Sequence, residues 1–250
     1  MQDLQLFTYF YSDGRSVVKT DNREAATRTA DTADIELITL GAHYITLLRR
    51  GEYPIDALLW GAGQFGDWGE QDHAALAFTA EIGASMAEAA LRPGLRIGFT
   101  YGSGDSDPND GDHGTFFQML PTARAYAATP FYNMQNTSDL FVQLSAQPAK
   151  GVTLRTELHQ LWLSDSSDLF YSGAGANERR DRFGYTGTPS GGSNDIGTLL
   201  DLEVSWIATR YLTLTAYYGH LFGDNVVAAA AQGGDDDIDY FFLEVLLLFS

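Results

Sequence analysis

The segment Leu154-Arg155-Thr156-Glu157-Leu158-His159-Gln160-Leu161-Trp162-Leu163 decides the fold of this chain. Leu154, Thr156, Leu158, Gln160 and Trp162 fall on one face of an extended backbone, and Arg155, Glu157 and His159 fall on the other. A period of two with one apolar and one polar face marks a β-strand. The same alternation recurs at 95–102, where Leu95, Ile97, Phe99 and Tyr101 oppose Arg96, Gly98, Thr100 and Gly102. It recurs again at 212–220. Noisier segments lie near 4–12, 34–48, 53–66, 73–87, 138–147, 196–209 and 237–249. The Ala-rich segment 73–87 has helical propensity, but Phe78, Ala80, Ile82 and Ala84 alternate with Thr79, Glu81, Gly83 and Ser85, so it is assigned as a strand.

About ten strands result, most of them long enough to cross a bilayer at a tilt, which takes roughly 9–11 residues. Strands of a soluble sandwich are nearer 5–6 residues. The connections alternate in length: 49–52, 88–94, 148–151 and 209–211 are short, whereas 13–33, 104–136, 165–195 and 223–236 are long, with 67–72 the brief exception. Short turns at one end and long loops at the other are the pattern of an outer-membrane barrel. The expected fold is therefore all-β: one domain over 1–250, a transmembrane antiparallel up-and-down β-barrel with short periplasmic turns and long extracellular loops. Lipid cannot satisfy open strand edges, which is the physical reason for expecting closure. The competing soluble β-barrel or sandwich also alternates. Trp162, Trp206, Tyr211 and Tyr218 are candidates for interfacial girdles; Trp68 reads as a turn residue and Trp60 as inward-facing.

Composition narrows function. The chain has no Cys, which excludes disulfides and thiol chemistry. Its net charge of −18 argues against nucleic acid as a partner. No apolar run approaches the ~18 residues of a spanning helix, and no signal peptide is visible before the first strand. No nucleophile elbow or His-Glu-x-x-His pattern occurs, so an enzyme is not expected; His159 beside Glu157, with Ser164 near in sequence, reads as an interior hydrogen-bonding group.

The loop Ser103-Gly104-Asp105, Asp107-Pro108-Asn109-Asp110-Gly111, Gly114-Thr115-Phe116 and Pro121-Thr122 resembles the alginate-export family of outer-membrane barrels of Gram-negative bacteria. Thr39-Leu40-Gly41-Ala42-His43-Tyr44 and Asp201-Leu202-Glu203-Val204 are similar to two of its strands, though His43 stands where the family has Arg. The likeness runs from about residue 35 to the end. The best-known member has eighteen strands, so this chain resembles a C-terminal portion, and a further chain completing the barrel is an implied partner beside lipid and lipopolysaccharide. The resemblance implies a porin-like passive channel for a polar or anionic solute such as a polysaccharide. Expected lining residues are Arg96, Arg155, Glu157, His159, Glu81, Asp201, Glu203 and Glu244, with Asp105, Asp107, Asn109, Asp110 and Arg124 on a selectivity loop. Two readings of Arg96 and Arg155 stand: a guanidinium ladder for carboxylates, or ion pairs with inward acids that fill a narrow interior. The alternative function is a plugged, structural barrel that anchors or seals an assembly. Asp105, Asp107, Asn109 and Asp110 also offer oxygen ligands to calcium, against a plain role as turn residues.

Overall fold

Alternating side chains have opposite fates in this chain, and the backbone pairs accordingly. The computed structural model describes residues 2–50, 53–119, 128–173, 175–176, 181–231 and 236–249. In chain order the elements are β1 (Gln2–Asp13), β2 (Val18–Lys19), α1 (Ala25–Ala30), β3 (Ile35–Arg50), β4 (Tyr53–Trp68), β5 (Gln71–Ser85), β6 (Gly94–Gly102), β7 (Asp112–His113), β8 (Thr137–Ala149) and β9 (Val152–Leu163). They continue as β10 (Leu169–Tyr171), β11 (Arg182–Phe183), β12 (Gly187–Pro189), β13 (Asp195–Thr209), β14 (Leu212–Gly223), α2 (Asn225–Ala230) and β15 (Ile238–Leu247).

Ten long strands pair in the order β1-β3-β4-β5-β6-β8-β9-β13-β14-β15, each antiparallel to the next, and β7 adds to β5. Every strand read from the sequence is present, including the Ala-rich one. There, Phe78 and Ile82 lie exposed on one face while Ala75 and Ala77 are buried on the other, and this two-faced setting overrides helical propensity.

The expected closure is the point of difference. Among the described residues β1 pairs with β3 alone and β15 with β14 alone, so the pairing forms an open path with two edges. What is established is a large all-β antiparallel sheet.

One face of that sheet is apolar and solvent-facing from end to end. Leu6 is 79% exposed and Leu243 70%, and Leu40, Ile82, Leu144 and Leu158 lie on the same side. Large exposed apolar surfaces mark contact with a partner or with lipid. No helix among the described residues is long and apolar enough to cross a membrane, which says nothing of crossing by strands.

The opposite, inner face is polar over its middle and packed at the long-loop end. There, Leu161, Leu163, Ile196, Leu199 and Leu221 join Tyr132, Val226 and Val227. A second cluster brings Ile35, Leu37 and Trp68 against Phe117, Tyr171, Phe183 and Tyr185 from the loops. Trp68 is thus a buried strand-end residue, not a turn residue, because its ring fills the space beneath the loops and stacks on His113 at 4.6 Å. The loops are tied down by buried ion pairs as well: Arg23 meets Asp21 at 2.8 Å and Asp31 at 2.9 Å, and Lys19 meets Asp31 at 3.2 Å.

Candidate functional site

The inner face carries the polar chemistry. Its strands deliver it by register, because residues paired across two strands share a face. Arg96 on β6 lies opposite Gly83 on β5 and Gln143 on β8. Glycine at 83 leaves room for the Arg96 side chain to reach Asp56 as well as Glu81, the latter at 2.9 Å. Arg155 on β9 faces Glu203 on β13 and pairs with it at 3.1 Å, with Glu157 at 3.6 Å from its Nε. Both inward arginines read from the sequence are therefore engaged by acids. The arrangement is the ion-paired interior, and not a row of free guanidinium groups.

Beside this network sits a buried group on four strands, β8, β9, β13 and β14. The His159 Nδ1–H donates to both oxygens of Asp139, each 3.0 Å away. Tyr132 donates to Asp139 at 2.8 Å, Tyr217 donates to Asp201 at 2.5 Å, and the Gln143 amide donates to Glu157. Glu157, His159 and Asp201 bring one potential ligand atom each to within 4.8 Å of one another. Ser164 takes no part: its hydroxyl is paired with that of Ser138 at 2.9 Å. Glu244, opposite Thr215 on β14, lies on the same inner face.

Aromatic rings hold the inner face open in one place and fill it in another. Phe7 on β1 lies flat over Gly41, where an added Cβ would stand 2.2 Å from its Cζ. Phe141 on β8 lies in the same way over Gly98. Next to Phe7, Trp60 stacks at 6.2 Å and meets Phe116 edge-on at 6.3 Å. Together with Gln5, Thr39 and His43 these rings line a cavity of about 440 Å³ beneath the loop that follows β6.

That loop is the segment carrying the Asp- and Gly-rich motif, and it folds onto the inner face. Gln64 on β4 bonds the Phe117 N–H and carbonyl, each at 2.7 Å. Ser103 donates to the Gly114 carbonyl at 2.7 Å, and Tyr185 to the Gln118 carbonyl at 2.7 Å. Arg124, Pro121 and Thr122 lie outside the described residues.

The loop's acids serve turns. Asp105 accepts from the Asp107 N–H, Asp107 from the Asn109 N–H and Asp110 from the Asp112 N–H. Each is an Asx-type contact two residues on. Among the described residues Asp105, Asp107 and Asp110 do not gather into a cluster of metal-ligand spacing. Asp105 instead turns inward to Asp168, whose Oδ2 accepts from the Asp105 N–H at 3.1 Å and from Thr115 at 2.6 Å. Burial, with neighbouring carboxylates including Asp168, pushes Asp105 up to about 6. Burial pushes Asp168 up to about 6 against the hydrogen bonds it accepts.

The alginate-export family profile matches residues 3–238. The chain belongs to the alginate-export family. The match reaches back through β1, well before the motifs that begin near residue 35. Comparison with curated proteins gives no match. Membership fits the loop motif and the large antiparallel sheet.

Sequence reading missed Asp56, Asp139, Tyr132 and Tyr217. Asp56 and Asp139 fall at inward positions of alternating segments, so their parity was available. Their partners were not, because pairing across strands depends on register.

Proposed function

We propose that this alginate-export chain forms part of an outer-membrane channel that passes a polar polysaccharide passively. The single observation that carries the reading is the division of the sheet into an apolar outer face and a charged inner face, in a chain of this family. In lipid the open edges of β1 and β15 must be paired, by each other or by further strands, because unsatisfied backbone groups are too costly there. The loop after β6 lies over the inner face and acts as the selectivity element.

Free arginines do not line the described inner face, whereas Asp56, Glu81, Asp139, Glu157, Asp201 and Glu203 share it with two paired guanidinium groups. Such a lining favours neutral or cationic solutes over a polyanion. Planar-bilayer recordings of the purified protein test the reading. Ion-permeable steps with cation preference are expected, and complete absence of steps at all voltages would sink it.

A second reading is favoured by the packed clusters at the long-loop end. It is a plugged barrel that seals or anchors an assembly. The same recordings separate the two, since a plugged barrel is silent until the loops are displaced.

A further inference from the structure

We propose that Glu157, His159 and Asp201 hold one divalent ion of the zinc class on the inner face, between β9 and β13. Glu157 and Asp201 are direct register partners, and His159 lies two residues from Glu157 on the same face. Two like charges placed opposite each other repel, and here both are buried: Glu157 is 6% exposed, Asp201 3% and His159 not at all. Asp139, equally buried, adds a third carboxylate on the far side of the imidazole.

Two atoms aimed at the centre of this group have no hydrogen-bond partner among the described residues: His159 Nε2 and Asp201 Oδ2. Buried polar atoms are nearly always satisfied, so a pair of them pointing at one spot calls for a missing partner. A proton on Nε2 provides it only in part, as a long contact to Glu157 that leaves Asp201 Oδ2 unsatisfied. The Nε2 atom is 3.5 Å from Glu157 Oε2 and 3.9 Å from Asp201 Oδ2, both too long for a good hydrogen bond. One imidazolium, with an Arg155 guanidinium shared between Glu157 and Glu203, would also stand against three buried carboxylates.

A divalent ion answers both problems. Ligands of a tetrahedral zinc site with bonds of roughly 2.1 Å stand about 3.4 Å apart, close to the separations seen. The other atoms of these side chains are already oriented, as metal ligands require. Asp139 holds Nδ1, which leaves Nε2 to present its lone pair. Tyr217 holds Asp201 Oδ1, and Gln143 with Arg155 holds Glu157 Oε1. One imidazole and two carboxylates, without thiolate, suit zinc, cobalt or manganese. The ion would tie β9 to β13 and, through Asp139 and Tyr217, to β8 and β14.

The test is a Co²⁺ titration of the chelator-treated, detergent-solubilised full chain. One equivalent giving visible d–d absorption, displaced by Zn²⁺, is expected. His159→Gln and Asp201→Asn should each weaken binding at least tenfold while keeping heat-modifiable gel mobility. His220→Ala, which removes an exposed histidine paired with Asp239, should leave it unchanged. If the first two variants fail to fold, X-ray absorption of the zinc-loaded wild type decides: one imidazole with oxygen ligands supports the site. Binding below one equivalent, binding retained in both folded variants, or a spectrum without imidazole (an adventitious ion only) would overturn it.

Discussion

The Gln64 side chain bonds both backbone groups of Phe117: its Nε2 donates to the carbonyl and its Oε1 accepts from the N–H, each at 2.7 Å. A strand residue thereby mimics a neighbouring β-strand and holds the loop onto the inner face. Gln64→Leu removes both bonds and leaves two buried backbone groups unpaired, at about 1–3 kcal/mol each. The expected outcome is a loop that detaches before the sheet melts. Limited proteolysis should cut the variant after β6 much faster than the wild type, with heat-modifiable mobility retained.

Gly41 makes room for the Phe7 ring, and an added Cβ would also stand 2.7 Å from the Gly61 carbonyl. Gly41→Ala forces the ring and the edge strand β1 outward, at a cost of roughly 1–3 kcal/mol for overpacking. Its unfolding temperature in detergent should fall clearly. Gly111→Ala, with no atom within contact of an added Cβ though at a positive φ, should fall less.

Arg96 neutralises Asp56 and Glu81. Arg96→Gln leaves two inward carboxylates without their guanidinium, and removing one partner of a charge group costs more than the pair contributes. Reversal potentials across a KCl gradient should move further toward cation selectivity. An unchanged potential would place Arg96 away from the conduction path.

Asp105 and Asp168 both titrate near 6 in the fold, pushed up first by burial. Their ordinary value is 3.8. Between those values the folded chain binds more protons than the unfolded one, so the contribution of these carboxylates to stability falls as pH rises from about 4 to about 6. Amide hydrogen exchange in the loop after β6 should therefore be slower at pH 5 than at pH 7.5, after correction for intrinsic rates. Asp168→Asn should flatten the difference.

Particle mass in detergent tests how the edges of β1 and β15 are satisfied. A mass of one chain implies that these two strands pair with each other; a larger particle implies strands from elsewhere. Either outcome is read directly by light scattering corrected for bound detergent.

Strands were legible because a half-buried strand writes its two environments into alternate residues. The segment 154–163 did so from Leu154 to Gln160, before Leu161 and Leu163 turn the inner face apolar at the loop end, and even 73–87 showed it beneath an Ala-rich composition that favours helix. The short elements in the connections, such as β7 at Asp112–His113 or α2 at Asn225–Ala230, left no period to read, since two to six residues hold too few turns of any repeat. Trp68 was misplaced because an aromatic beside Gly looks the same whether its ring points to water or into a core.

About ten long strands, their two faces and the family likeness are legible in the chain's residues alone, because period, loop length and motif are local properties. So is the placing of Arg96, Glu81, Arg155, Glu157, His159, Asp201 and Glu203 on one face. Which of them meet depends on how the strands and loops pack. Cross-strand register places Glu157 against Asp201 and Arg155 against Glu203, and the fold of the loop sets Phe117 on Gln64. Those contacts join residues distant in sequence, and their energy depends on geometry that no single segment contains.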